Sequence, residues 1–153
     1  MNWDTAWNTE YWLSIVLALL CGGAIGLERQ LRGKPAGVRT SALVCVGTFL
    51  FVYLSVHLDT QRVDPSRVLG QVCAGIGFLG AGVMLSRDGV TKGVTSAAVI
   101  WVLAAIGSAI ALKEAGAAVS MAVVVVVVLM GVRGVEALWR RVRGLGREDQ
   151  GDD

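Results

Sequence analysis

The chain has 153 residues, of which 54% are apolar, and its mean hydropathy of +0.62 is high for a water-soluble domain. Glycine accounts for 20 residues, well above its usual share of about 7%. The net charge of +2 is small and dispersed along the chain. This charge pattern argues against nucleic-acid binding.

Five uncharged windows dominate the sequence. They leave all 26 charged residues to the other 60 positions, and they cover residues 11–27, 40–58, 68–86, 93–112 and 115–132. Uncharged segments of about 17–25 residues match the thickness of a bilayer core. Only helices and closed barrels satisfy the backbone in lipid. A barrel strand would alternate polar and apolar residues, whereas residues 123–128 are six consecutive valines. We therefore expect an all-α membrane protein, a bundle of five transmembrane helices in a domain of residues 1–132.

The basic residues predict how this bundle is oriented. Alternate connections carry 3 Lys and Arg residues on one side and 11 on the other. Because the richer side of a membrane protein is normally cytoplasmic, we expect the N-terminus outside and the C-terminus inside. The acidic Asp4 and Glu10 replace the basic start of a cleavable signal peptide. Tyr11, with Trp3 and Trp7 at four-residue spacing before it, suits the outer interface.

Residues 133–153 differ from the rest of the chain. An apolar stripe that includes Leu138, Trp139 and Val142 alternates with arginines, and the segment ends in acidic residues. This pattern predicts a basic amphipathic cytoplasmic tail that lies on the anionic inner leaflet. The alternative is a simple continuation of the fifth helix.

Small residues recur at helical spacing within the windows. Close packing of such residues drives helix association in lipid, where hydrophobicity cannot. The first window contains Gly22 and Gly26, and the third carries a stripe of Gly70, Ala74, Gly77 and Ala81, flanked by other glycines that include Gly80 and Gly82. We expect the third helix to be the central, most tightly surrounded one, so that Gly77→Leu would damage folding. The valine-rich fifth helix should be the most lipid-exposed.

Several possible binding motifs are weak in this context. Residues 75–80 match a dinucleotide-binding pattern, but they lie inside an uncharged window and no acidic residue follows at the required distance. Cys21, Cys45 and Cys73 lie in three different windows and are expected to behave as small apolar residues. His57 is expected to be a polar residue at the outer interface. No nucleophile, base and orienting residue form a catalytic set, so we expect neither an enzyme nor a cofactor.

The connection of residues 28–41 is the most informative polar segment. Glu28 and Arg32 have the spacing of a helical ion pair, and Arg39 stands where it could pair with Glu28 across the turn. One interpretation is that these charges only set the topology. The other is a fixed polar cluster at the cytoplasmic face that contains Glu28, Arg29, Arg39 and Thr40, and that Asp88 from the next cytoplasmic loop joins. The sequence does not say whether the cluster binds a metal.

Three ordered segments resemble the signatures of the MgtC/SapB family of bacterial inner-membrane proteins. They read GGAIGLERQLRGKPAGVRTSALVCVGTFLF, GQVCAGIGFLGAGVML and VTKGVTSAAVIWVLAAIGSAIAL, and they cover about residues 22–112. By motif match, the residues carried over are Glu28, Arg29, Gly37, Arg39 and Thr40 from the first segment, Gly77, Phe78, Gly80 and Gly82 from the second, and Ala97, Ala98 and Trp101 from the third.

The resemblance implies a multi-pass protein of the bacterial plasma membrane that is linked to growth under magnesium limitation. The expected form is the short, SapB-like one, without the cytoplasmic domain of longer relatives. Two functions follow as expectations. The protein regulates a membrane partner, such as ATP synthase or a transporter, through helix contacts. Alternatively, it is a small transporter of magnesium or another ion that works as a homo-oligomer.

Overall fold

The computed structural model describes residues 8–57, 64–87 and 90–148. Within these ranges the chain forms five α-helices, with one antiparallel β-hairpin between the third and fourth. The helices are α1 (Thr9–Leu31), α2 (Val38–His57), α3 (Pro65–Gly82), α4 (Val94–Ala111) and α5 (Ala115–Glu148), and the strands are β1 (Leu85–Arg87) and β2 (Val90–Lys92).

The helices differ in how well their length and composition suit a membrane span. The helices α1, α2 and α4 are long and apolar enough to do so, and the described apolar part of α5 is Ala115–Gly131. α3 ends at Gly82, so the predicted window of residues 68–86 runs on into β1. The helical bundle agrees with the predicted fold class. α5 passes through the predicted boundary at residue 132, and the proposed position of the tail on the inner leaflet stays a prediction.

Local signals explain where the helices begin. The Asn8 side chain accepts a hydrogen bond from the backbone N–H of Glu10, at 2.9 Å, and caps α1. The Asp64 carboxylate caps α3 through the backbone N–H of Ser66, also at 2.9 Å, and this bond holds the pKa of Asp64 below its ordinary value. Gly93 precedes α4 with φ +94°, and a Cβ there would collide with the Val83 carbonyl oxygen. The hairpin can therefore return to α4 only through glycine at this position.

The core lies where α1, α2 and α4 meet, with α5 covering one side. Phe49 and Val52 of α2 and Leu103 of α4 are fully buried there, with Ile25 of α1. α5 contributes the small residue Ala118. Half of the membrane-length segment of α4 is buried, a larger share than in α1 or α2. The central helix of the described fold is therefore α4 and not α3.

Glycine allows the backbones in this core to approach closely. A Cβ at Gly22 would lie 2.7 Å from the Ser41 carbonyl oxygen, and one at Gly26 would lie 2.7 Å from the Val38 Cα. Both glycines of the first window thus face α2, where the sequence pattern predicted packing. Gly107 of α4 makes an equally close approach, because a Cβ there would meet the Cys45 carbonyl oxygen. The sequence analysis did not single out Gly107.

Among the described residues, α3 packs through only one of its predicted glycines, Gly80. A Cβ at Gly77 or Gly82 would have no neighbour within 4 Å among the described residues, and the same holds at Gly70. Only Gly80 makes a contact, at 3.5 Å from the Ala97 Cβ of α4. The glycine stripe therefore faces outward, because Ile76 on another side of α3 forms the contact with the core. Gly77→Leu is accordingly expected to leave folding intact.

Two alanine substitutions on α1 test the close contact with α2. We predict that Gly26→Ala lowers the melting temperature in detergent, because its new Cβ would press on the α2 backbone, and overpacking costs about 1–3 kcal/mol. Gly23→Ala is the matched control. A Cβ at Gly23 has no described neighbour within 4 Å, and alanine favours a helix over glycine by roughly 0.5–1 kcal/mol. Equal melting temperatures for the two variants would contradict this account.

Candidate functional site

A buried ionic cluster lies at the C-terminal end of α1. Glu28 and Arg32 are one helical turn apart, and the Glu28 Oε1 and Arg32 Nε atoms are 2.5 Å apart. This is the helical ion pair that the spacing predicted. Glu28 is only 8% exposed and the neighbouring Arg29 only 4%. Charged residues are seldom buried so deeply unless they are paired, so this end of α1 is a defined polar site.

The two arginines tie α1 to two other helices. The Arg29 guanidinium donates a hydrogen bond of 2.5 Å to the hydroxyl of Ser96, which lies fully buried in the first turn of α4. Arg32 donates to the Leu129 carbonyl oxygen of α5, at 3.2 Å. We refer to Glu28, Arg29, Arg32 and Ser96 as the Glu28 cluster. It joins three helices at one end of the bundle.

One oxygen of the cluster lacks a hydrogen-bond donor within the described part of the chain. Glu28 Oε2 is buried, and no described residue gives it a hydrogen bond. A buried carboxylate oxygen normally has at least one partner, because leaving it unsatisfied costs free energy. Oε2 is therefore the atom at which a water molecule, a proton or a ligand donor would add to the site.

The structure does not bring together all the residues predicted for the polar cluster. Glu28 and Arg29 lie in it, but Arg39 and Thr40 are exposed on the first turn of α2. Glu28 pairs with Arg32 within its own helix, and Arg39 makes no ion pair among the described residues. Asp88 lies outside the described residues. The predicted Glu28–Arg39 pairing is therefore replaced by a pairing within one helix turn.

Other predicted positions have different surroundings. Trp101 is 56% exposed on α4, so it contributes less to packing than expected. Ser96 was missed as a site residue. A sequence signal for Ser96 does exist. Its hydroxyl precedes two alanines near the start of α4, and such small residues allow the helix to approach a neighbour closely. Ser41 was also missed, and its buried hydroxyl donates to the Ala36 carbonyl oxygen at 3.0 Å and closes the α1–α2 turn.

The opposite end of the bundle carries aromatic and exposed polar groups. The Tyr53 ring stacks on His57 with centroids 4.0 Å apart and contacts Tyr11 at 5.1 Å. Glu10 and Lys113 form an exposed ion pair of 3.0 Å across the mouth of this region. His57 is exposed at the last position of α2, and its location at a membrane interface stays a prediction.

Metal ligands are sparse in the described part of the chain. No three His, Cys, Asp or Glu residues lie close enough there to hold a metal ion. Cys21 and Cys45 are buried and Cys73 is exposed, and all three are free thiols. Within the described residues, the Glu28 cluster is held together by an ion pair and hydrogen bonds.

A double-mutant cycle tests the Glu28–Arg32 pair. We predict that Glu28→Gln lowers the unfolding free energy by about 3 kcal/mol or more, because breaking a buried pair leaves uncompensated charge. Arg32→Gln should also destabilise the fold, and the double variant should lose less than the sum of the two. Thermal unfolding in detergent measures each term, with the exposed Lys34→Gln as control. Strict additivity would show that the two side chains do not interact.

The sequence is similar to known proteins over much of its length. The sequence model of the MgtC family matches residues 15–138. The chain is 46% identical over 110 residues to a protein of Escherichia coli strain K12 named putative magnesium transporter YhiD, covering 67% of this chain and 51% of that protein. No solved structure matches the chain significantly.

Two further relatives are similar to a large part of the chain. Protein SrpB of Synechococcus elongatus is 42% identical over 109 residues, which is 63% of this chain and 60% of that protein. Protein MgtC of Salmonella typhimurium is 42% identical over 97 residues, which is 63% of this chain and 41% of that protein. The chain thus spans about half the length of the curated relatives it matches.

Proposed function

The chain belongs to the MgtC family, and we propose that it serves magnesium homeostasis by regulating another membrane protein through helix contacts. The names of its relatives support a magnesium-related membrane protein, since one is called a putative magnesium transporter. The three apolar helices α1, α2 and α4 support a bacterial membrane location. The regulatory role itself rests on one surface of α3.

That surface is the stripe of small residues along α3, which we call the α3 small face. It consists of Gly70, Ala74, Gly77 and Ala81, and all four residues are exposed. A Cβ added at Gly70 or Gly77 would meet open space among the described residues. Since small residues allow helices to approach closely in lipid, an unused small face is suited to a helix from another protein. This open face is the observation that carries the proposal.

The properties of α3 also favour a partner. It carries polar Gln71 and several glycines, and it is not among the helices apolar enough to cross a membrane by composition. Burial against a second protein would compensate for this lower apolar content. A transporter or the ATP synthase is the kind of membrane complex that the family resemblance suggests, and a second copy of this chain is the alternative partner.

The proposed orientation follows from the basic residues. Exposed Lys34, Arg39 and Lys92 share the end of the bundle that holds the Glu28 cluster. The positive-inside rule favours this end as the cytoplasmic one, in a multi-pass arrangement of five spans with the N-terminus outside. A reporter fused after Asp153 should be active in the cytoplasm, and a periplasmic signal would contradict this orientation.

Gly77→Leu tests the role of the α3 small face. We predict that the variant accumulates and melts like the unchanged protein, because nothing described lies near Gly77. The experiment cross-links the tagged full-length chain to its membrane partner and purifies the two together. The Gly77→Leu variant should capture about tenfold less of this partner complex, because leucine would hold the partner helix away. Quantitative mass spectrometry of the captured complex measures the loss.

Gly116→Leu is the matched control for that experiment. Gly116 is an exposed glycine on α5 that likewise has open space around it. The control should capture the same complex as the unchanged chain. Equal capture by the Gly77 and Gly116 variants would contradict a docking role for the α3 small face.

The second candidate function is ion transport by an oligomer. The observation that favours it is Glu28 Oε2, a buried oxygen to which no described residue donates a hydrogen bond. A buried carboxylate oxygen near the membrane edge is where a passing cation or proton would be held. Magnesium uptake into proteoliposomes that is lost in Glu28→Gln but kept in Gly77→Leu would establish transport. The same uptake would overturn a purely regulatory role.

A further inference from the structure

A long groove separates α2 from α3 on the outside of the bundle. Its volume is about 600 Å³, and its floor includes Val44, Val72 and Ile76, which pack on the core. Its walls include the exposed Phe51 and Leu79. We propose that this groove binds one anionic phospholipid, with an acyl chain between α2 and α3 and the phosphate at the end marked by Thr40.

The length of the groove suits a hydrocarbon chain. The α2 wall runs from Thr40 to Phe51, which at 1.5 Å per residue is about 16 Å of helix. An extended acyl chain fits lengthwise along this wall.

The environment of the groove also favours hydrocarbon. α2 is one of the helices able to cross a membrane, so its apolar wall lies at the depth of the acyl chains. Water does not fill an apolar cavity that offers it too few hydrogen-bond partners. Lipid chains are therefore the occupants available to this space. Neither Gly70 nor Gly77 lines the groove, so the site is separate from the α3 small face.

Charge at one end of the bundle selects the lipid headgroup. Arg39 is exposed beside Thr40, and Lys34 and Lys92 are exposed at the same end. Among residues with described side chains, the exposed acidic ones all lie at the opposite end; they are Glu10, Asp64 and Glu114. The first turn of α2 adds the positive end of its helix dipole. An anionic phosphate headgroup complements this end better than a zwitterionic one.

Native mass spectrometry tests the proposal. The full-length chain is released from nanodiscs that contain equal amounts of phosphatidylglycerol and phosphatidylethanolamine, and the lipid that stays bound is measured. One phosphatidylglycerol should remain bound per chain. Gly47→Phe and Gly75→Leu should reduce the retained lipid at least tenfold by filling the groove from either wall, since a Cβ at Gly47 or Gly75 meets no described neighbour. The control Gly116→Leu should retain the lipid as the unchanged chain does.

Arg39→Gln tests the headgroup contact without touching the groove. It should reduce the preference for phosphatidylglycerol over phosphatidylethanolamine by about fivefold, the effect expected of one basic residue near an anionic surface. The proposal would be overturned if neither groove-filling variant reduced the amount of lipid retained. It would also be overturned if the unchanged chain retained the two lipids equally. A third contradicting result would be a dimer that carries no lipid and that both groove-filling variants dissociate.

Discussion

Close approach of helix backbones is the constraint on which this structure depends. Apolar helices gain little from hydrophobicity when they associate in lipid, so packing at short distance must hold them. Gly22 and Gly26 let α1 approach α2, and Gly107 lets α4 approach α2. A side chain at any of these three positions would enter a neighbouring backbone or side chain. The core of α1, α2 and α4 is therefore defined by where glycine is required.

The ionic cluster follows from that approach. Once α1 and α4 are held against α2, the Arg29 guanidinium reaches the Ser96 hydroxyl and both groups can be buried. The Glu28–Arg32 pair forms within α1 itself, and Arg32 extends the connection to α5. Packing and charge are thus coupled at one end of the bundle. A disturbance of the glycine contacts would also open the polar site, which links stability to any role that Glu28 has.

Much of this could be predicted from the sequence, because helices in lipid are long uncharged segments and ion pairs at four-residue spacing are local. The positions of α1, α2 and α4 and the Glu28–Arg32 pair follow from such local patterns. The partner of each glycine does not, because a small residue permits close approach without specifying a neighbour. Gly77 and Gly107 both lie in uncharged windows, yet of the two only Gly107 meets another backbone among the described residues. The Arg29–Ser96 bond, between residues 67 positions apart, likewise needs the fold.

The central claim is that α1, α2 and α4 pack against one another to form the core, and that the small face of α3 stays open to bind another membrane protein. A photoreactive amino acid placed at Gly77 in living cells tests it most directly, with the same group at the exposed Val119 of α5 as reference. The account predicts a discrete covalent adduct with a different membrane protein from Gly77 and none from Val119. Adducts with lipid alone at both positions, or the same protein adduct from both, would contradict it.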